Sequence, residues 1–362
     1  MARRRVTEEP QFDLGLLAGD FPPTLNTADA PTDLEPNESP DCYGIDIDKD
    51  GRIKRSTTMP TGTSRVQKTI TLSTIPYYWH YGRLWNITNL TAATASNVLR
   101  YGALIYNDIY VQQRNGRIYF DEDAQTIVAI VPVEPDSMVI LKSTGGYALT
   151  NISDTRAFFQ RTDIIQELQC AAAARTIEID NTVFVSNALG LQGYRDGGTV
   201  DFTRPVRDAL TNYQNLNLTA DYVNKQVIAT NASDSTTGFV YDITSKKILR
   251  WTGGTFRYTT RQFRLPDWKP FTVDRLLFTI EHNTVANENI KYQVKFEDEP
   301  WSKVYTIKVP AVEERFTIIT EDLERVPSTH RFQLRITELG ANKYIKEIRI
   351  DSEAFNADDY VT

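Results

Sequence analysis

From Tyr43 to about Trp268 the chain never runs long without a turn residue, and this punctuation limits what it can fold into. Short runs rich in β-branched and aromatic residues follow one another: YYWHYGRLWNI, ALIYNDIYVQQ, GRIYFDED, TIVAIVPV, SMVILKS, GYALTNI, TIEIDNTVFVSN, QVIATN and GFVYDI. Gly, Asn, Asp, Ser or Pro separate many of them, the signature of short strands joined by tight turns. Asn107-Asp108 and Asp180-Asn181 each sit between two apolar runs and read as hairpin turns. The best helical candidate is residues 160–175, QRTDIIQELQCAAAAR, because its alanine run has high helix propensity.

A loose repeat, in which an apolar run meets a turn, recurs at 83–89, 117–123, 147–154, 191–198 and 239–247. Its spacing brackets that of propeller blades, and about five would fit. A generic β-sandwich with the same hairpins is the competing reading. After Pro270 the character changes. Six runs follow, and YQVKFED, YTIKV and FQLRI alternate cleanly, as in an antiparallel sheet with one buried face. The expected fold is therefore all-β: an irregular β-propeller over 43–262, then a small antiparallel β-sandwich over 263–362. Residues 1–42, rich in Pro, Thr, Asp, Asn and Glu, read as an extended N-terminal arm.

Composition narrows the function classes. Hydrophobic residues make up 41% of the 362, enough for a packed core. A net charge of −7 argues against a dominant nucleic-acid role, which needs a basic face. Two cysteines, Cys42 and Cys170, exclude a disulfide-dense scaffold. No apolar run nears the roughly 18 residues that would read as a membrane span, and MARRRVTEEPQ lacks the apolar stretch of a signal peptide. No membrane partner is expected.

Motifs for chemistry are sparse. Asp46, Asp48 and Asp50 of D-I-D-K-D-G, with Gly51 and Ile53, match the first half of a calcium loop. The twelfth position is Thr57 rather than a bidentate Glu, and Arg52, Lys54 and Arg55 crowd the loop. A hairpin is the better reading, and the three aspartates stay a weak metal candidate. His80, His282 and His330 lie far apart, without zinc-ligand spacing. No phosphate-cradling or nucleophile-elbow motif occurs, so no cofactor and no catalytic residue is expected. Asp121, Glu122 and Asp123 read as a solvated turn, although carboxylates from different blades can converge to cleave a glycoside.

Three segments resemble a class of tailed-bacteriophage virion proteins: the tail hub, nozzle and stabilisation proteins of the head-to-tail connector of short-tailed phages. The first is an N-E-S-P-D leader into a D-x-D-x-x-G hairpin that opens the propeller in that class, matched at Asn37, Glu38, Ser39, Pro40, Asp41, Asp46, Asp48, Gly51, Ile53 and Arg55. The second is Y-T-T-R-Q-F-R-L-P at 258–266, similar to the strand that leaves the propeller in that class, with Thr260-Arg261 where the class has Ser-Lys. The third is the closing stretch H-R-F-Q-L-R-I-T-E-L-G-A-N-K-Y-I-K-E-I-R-I. The resemblance implies a structural virion protein without enzymatic activity, assembled in the bacterial host cytoplasm. It implies a ring of copies of the chain at the head–tail junction or tail, beside other tail or connector proteins. Genome DNA would pass through that ring without sequence recognition. The alternatives are a host-glycan-binding module, in which Tyr78, Trp79 and Trp85 stack on sugar, and a propeller glycosidase.

Overall fold

A computed structural model describes residues 13–14, 24–25, 38–39, 41–47, 53–56, 59–64, 69–72, 75–88, 95–101, 116–120, 123–154, 158–206, 213–260, 262–263, 270–282, 287–311, 316–323 and 329–354. The fold is all-β, with propeller-like meanders and a sandwich. The chain forms two compact units, residues 60–246 and residues 1–59 with 247–362. These divisions differ from the expected boundaries at 42/43 and 262/263. Asp41–Tyr43, Ile53–Arg55 and Arg257–Thr259 find their ladder partners in the sheets of the C-terminal unit.

In the unit of residues 60–246, strands pair with their sequence neighbours in up-and-down meanders. One contains Thr69–Leu72, Ile75–His80, Arg83–Thr88, Ala95–Tyr101 and Gly116–Tyr119. The next runs through Ile127–Val133, Ser137–Lys142, Gly145–Thr150 and Gln160–Arg161, and another through Thr176–Ile179, Thr182–Asn187, Gly190–Arg195 and Gly198–Asp201. A further meander starts at Asn217–Asp221 and passes through Gln226–Thr230 and Thr237–Asp242 to Lys247–Thr252. Four blade-like sheets thus stand among the described residues where the repeat suggested about five. Thr63 bridges Ala220, tying the start of this unit to the last meander.

The second meander shows why its sequence reads as unbroken apolar runs. Alternate residues face opposite ways along a strand. Ile130, Met138, Ile140, Tyr147 and Leu149 join Trp85, Leu99 and Phe120 of the first meander in one core cluster. Ala129, Val131, Val139, Leu141 and Ala148 join Val183, Val185 and Tyr194 of the third in another. A sheet buried on both faces has no polar side to alternate with. The Asp180-Asn181 turn is as expected. Both residues have positive φ, 54° and 58°, and Ile179 pairs with Thr182 across a two-residue loop. The Asn107-Asp108 turn lies outside the described residues.

The expected helix at 160–175 is absent. Gln160–Arg161 is a strand, and only Gln166–Leu168 and Ala173–Arg175 make single 3₁₀ turns. Ile165 exchanges backbone hydrogen bonds with Gly146, and Leu168 and Cys170 are fully buried. Burial against the neighbouring sheets overrides the propensity of the alanine run.

The other unit is a sandwich. All six runs expected after Pro270 are strands. Phe271–His282, Phe316–Asp322 and Lys343–Ala354 share one sheet, and Glu288–Phe296, Tyr305–Val309 and Phe332–Leu339 share the other. Their inner residues, among them Phe278, Ile280, Ile348, Tyr292, Val294 and Leu334, are buried, and the Phe278 and Tyr292 rings meet at 5.8 Å. The N-terminal segment supplies strands to both sheets. Asp41–Tyr43 pairs with Arg257–Thr259 at the end of one. Ile45–Ile47 and Ile53–Arg55 form a hairpin whose second strand pairs with Lys343–Ala354 in the other. Asp13 and Leu14 also pair with that long strand. Most of the extended arm expected over 1–42 lies outside the described residues.

The change of sheet happens at Gly44, whose φ is +63°. Its N–H donates to the Arg250 carbonyl at 2.8 Å, and its own carbonyl accepts from Ser56 N–H at 2.9 Å. A Cβ there would lie 1.8 Å from the Thr255 carbonyl oxygen. Left-handed backbone already costs a non-glycine residue about 1–2 kcal/mol, and the clash adds to it. Gly44→Ala is therefore expected to destabilise the full chain by more than about 2 kcal/mol in denaturant unfolding. Wild-type stability would contradict this corner.

Candidate functional site

The D-I-D-K-D-G segment is a hairpin where it is described. Asp46 lies in the first strand and pairs in register with Lys54. Asp48 and Asp50 lie outside the described residues. No group of three or more His, Cys, Asp or Glu that could hold a metal ion occurs among the described residues.

The aromatic trio does not make a sugar platform. Trp85 is 0% exposed, and its ring meets Tyr101 at 5.8 Å and Phe159 at 5.6 Å. Its indole N–H donates to the His80 carbonyl at 3.1 Å. Tyr78, directly across the ladder from Trp85, packs against the same core cluster and is only half-exposed. Trp79, one residue along, points to the other side of the pleat and is also half-buried. A buried indole looks like an exposed one in sequence, so composition pointed to these rings without showing their faces.

Of the three consecutive carboxylates, Asp121 and Glu122 lie outside the described residues. Asp123 is held by the buried Lys142 ammonium and the Thr144 hydroxyl, and it also accepts from the Gln125 amide. Burial pushes its pKa up, but the Lys142, Thr144 and Gln125 donors outweigh this and hold it below its ordinary value. Lys142 also donates to the Phe120 carbonyl at 2.8 Å. Asp123 thus fastens the strand containing Lys142 rather than serving as a free acid or base.

A cluster not anticipated from sequence lies on the sandwich sheet that begins at Asp41. Asp41, Thr259, Arg335 and Gln293 stand in register across four neighbouring strands. Cys42, Tyr258, Leu334 and Ile336 are buried on one side of the pleat; the row lies on the other side, where Thr259 is also buried and Asp41 and Arg335 are partly exposed. Asp41 Oδ2 accepts from Arg257 Nη1 at 3.0 Å, and its Oδ1 accepts from Arg250 Nη2 at 3.3 Å. Arg335 Nη2 is 4.0 Å from Asp41 Oδ2, while its Nε donates to Thr259 Oγ1 at 3.3 Å. Aromatic faces set the guanidinium planes. Arg250 and Arg257 each lie 5.2 Å from the Tyr43 ring centre, and Arg335 stacks on Trp301 at 3.8 Å. Burial, and next the charge of Arg257, lower the Arg335 pKa, while Asp41 and Tyr43 oppose the shift. Cys42 beneath is no nucleophile, since burial pushes its thiol up to about 12. The arginines come from positions 250, 257 and 335, so no local motif announces them.

No family model and no curated protein matches this chain. Among solved structures, it is similar to an exo-β-1,3-galactanase from Phanerochaete chrysosporium bound to galactose. That likeness has 9% identity, 83% of this chain and 69% of that one, and a TM-score of 0.20. It is also similar to a glycoside hydrolase family 43 arabinoxylan arabinofuranohydrolase from Bacillus subtilis (7%, 79% and 78%, TM-score 0.23). A third is a structure described as CBM4 (12%, 44% and 75%, TM-score 0.19). At such scores these likenesses carry no argument about function. The expectation of a chain without enzymatic activity is withdrawn, since the solved structures just named include glycoside hydrolases.

Two outcomes follow from the site geometry. Trp85→Ala is expected to cost about 3–5 kcal/mol of stability in denaturant unfolding, as for other buried aromatics, and Trp79→Ala distinctly less. Equal, small effects would contradict the burial. Because Asp123 is depressed in the folded state, its stabilisation is fully present above its ordinary pKa of 3.8 and is lost as pH falls through the lower folded value. Thermal unfolding from pH 5 down to pH 2 should therefore lose less stability in Asp123→Asn than in wild type. Parallel pH profiles would exclude this role.

Proposed function

We propose that the chain is a structural protein of a tailed-bacteriophage virion, forming a ring with copies of itself at the head–tail connector, hub or tail nozzle. One observation supports the reading: the three segments that resemble that class, far apart in sequence, are strand neighbours in one unit, although the first two pair within the sandwich rather than opening and closing the propeller as the resemblance implies. Tyr258 pairs with both Cys42 and Ile336, Phe263 bridges Phe332, and Ile53 pairs with Ile345. Segments that form one module are expected to be retained together, and here their residues serve strand pairing and packing. The Ser39 hydroxyl donates to the Thr259 carbonyl at 2.6 Å, and Asp41 holds two arginines. An acidic balance suits a channel through which DNA slides without sticking.

A carbohydrate-directed role, binding or hydrolytic, is the second reading. Tyr119 and Tyr222 favour it, since both rings are about half exposed (50% and 49%) and sugar faces stack on such rings.

Gold-tagged antibody against the chain, applied to phage particles and viewed by electron microscopy, separates the readings. Gold at the unique tail vertex is the expected result. Absence of gold from particles, with reducing ends released from host polysaccharide or retention on it, would overturn the virion reading in favour of the second.

A further inference from the structure

The arginine cluster contains more positive charge than its carboxylate balances. Leaving Arg250 out of the count, two guanidiniums, Arg257 and Arg335, face the single charge of Asp41. A guanidinium has five N–H donors in a rigid fork. Among the described contacts, Arg257 directs one to Asp41, and Arg335 directs one to Thr259 while only grazing Asp41.

The cluster is also reachable and held in shape. The Arg257 side chain is 36% exposed, that of Arg335 19% and that of Asp41 26%. Tyr43 and Trp301 occupy faces of the guanidiniums, which leaves their N–H edges to take a ligand in plane. Asp41 and Thr259 fix both arginines from adjacent strands, so little side-chain freedom remains to be lost on binding. Like charges held this close are relieved by an anion.

We propose that this outer face of the sandwich is an oxyanion-binding site, in which Arg257 and Arg335 take a phosphate or carboxylate group beside Asp41. Asp41 tunes the site, since it holds the forks in place and reduces their net charge. The inference is independent of the virion reading.

The test is calorimetric titration of the full chain with inorganic phosphate, and separately with glucuronate, at constant low ionic strength. Saturable binding of at least one of the two is expected. Preference for phosphate points to a phosphate-bearing ligand, and preference for glucuronate to an acidic sugar. Arg257→Gln, at a partly exposed position that retains a side-chain donor toward Asp41, should stay folded by circular dichroism and bind about tenfold more weakly, as expected for loss of a charge-assisted hydrogen bond. Because Arg335 stacks on Trp301, binding should also change tryptophan emission, and Trp301→Phe should abolish most of that change while leaving binding heat. Heat that never saturates for either anion, or unchanged affinity in a folded Arg257→Gln chain, would overturn the site.

Discussion

The sandwich depends on one stitch made by its most distant segment. Residues 41–55 enter one sheet as Asp41–Tyr43, turn through Gly44, and enter the other as Ile45–Ile47 and Ile53–Arg55. The hairpin of Ile45–Ile47 and Ile53–Arg55 is local, but both pairings that attach the segment to the sandwich join residues more than 200 positions apart, as Tyr43 with Arg257 and Lys54 with Tyr344 show. The intervening chain builds most of a second unit before it returns. Closing so long a loop is entropically unfavourable, and it must happen before the contacts reward it. The stitch is correspondingly well anchored: Cys42, Ile45 and Ile53 are buried, Gly44 is hydrogen-bonded on both sides, and Asp41 is gripped by arginines.

The unit of residues 60–246 solves a different problem. Its meanders are local, so each finds its register from a short turn, and stability comes from packing one sheet face on the next. This consumes the aromatic residues. Trp85, Phe120, Tyr147 and Phe184 fill space between sheets, and Phe202 meets Tyr241 at 4.8 Å. What is left for recognition is a small set of exposed rings such as Tyr119 and Tyr222.

Local features were legible in the sequence. The alternation of 290–296 gave a strand with one buried face, and Asp180-Asn181 gave a two-residue turn. Non-local features were not. Nothing in DCYGIDID says that its strands belong to sheets completed 200 or more residues later. Nothing in the alanine run of 171–174 says that Ile165 will bridge Gly146 and stop a helix from forming. The arginine cluster was invisible for the same reason: Arg250, Arg257 and Arg335 become neighbours of Asp41 only through strand pairing.

The claim on which the rest stands is that residues 41–55 are an integral part of the sandwich. Amide hydrogen exchange followed by mass spectrometry tests it most directly. Peptides covering 41–47 and 53–56 should be protected to the same degree as Phe271–His282 and should lose protection together with it in rising denaturant. Free-chain exchange of the N-terminal segment, with Phe271–His282 still protected, would contradict the stitch and return the segment to the status of a separate arm.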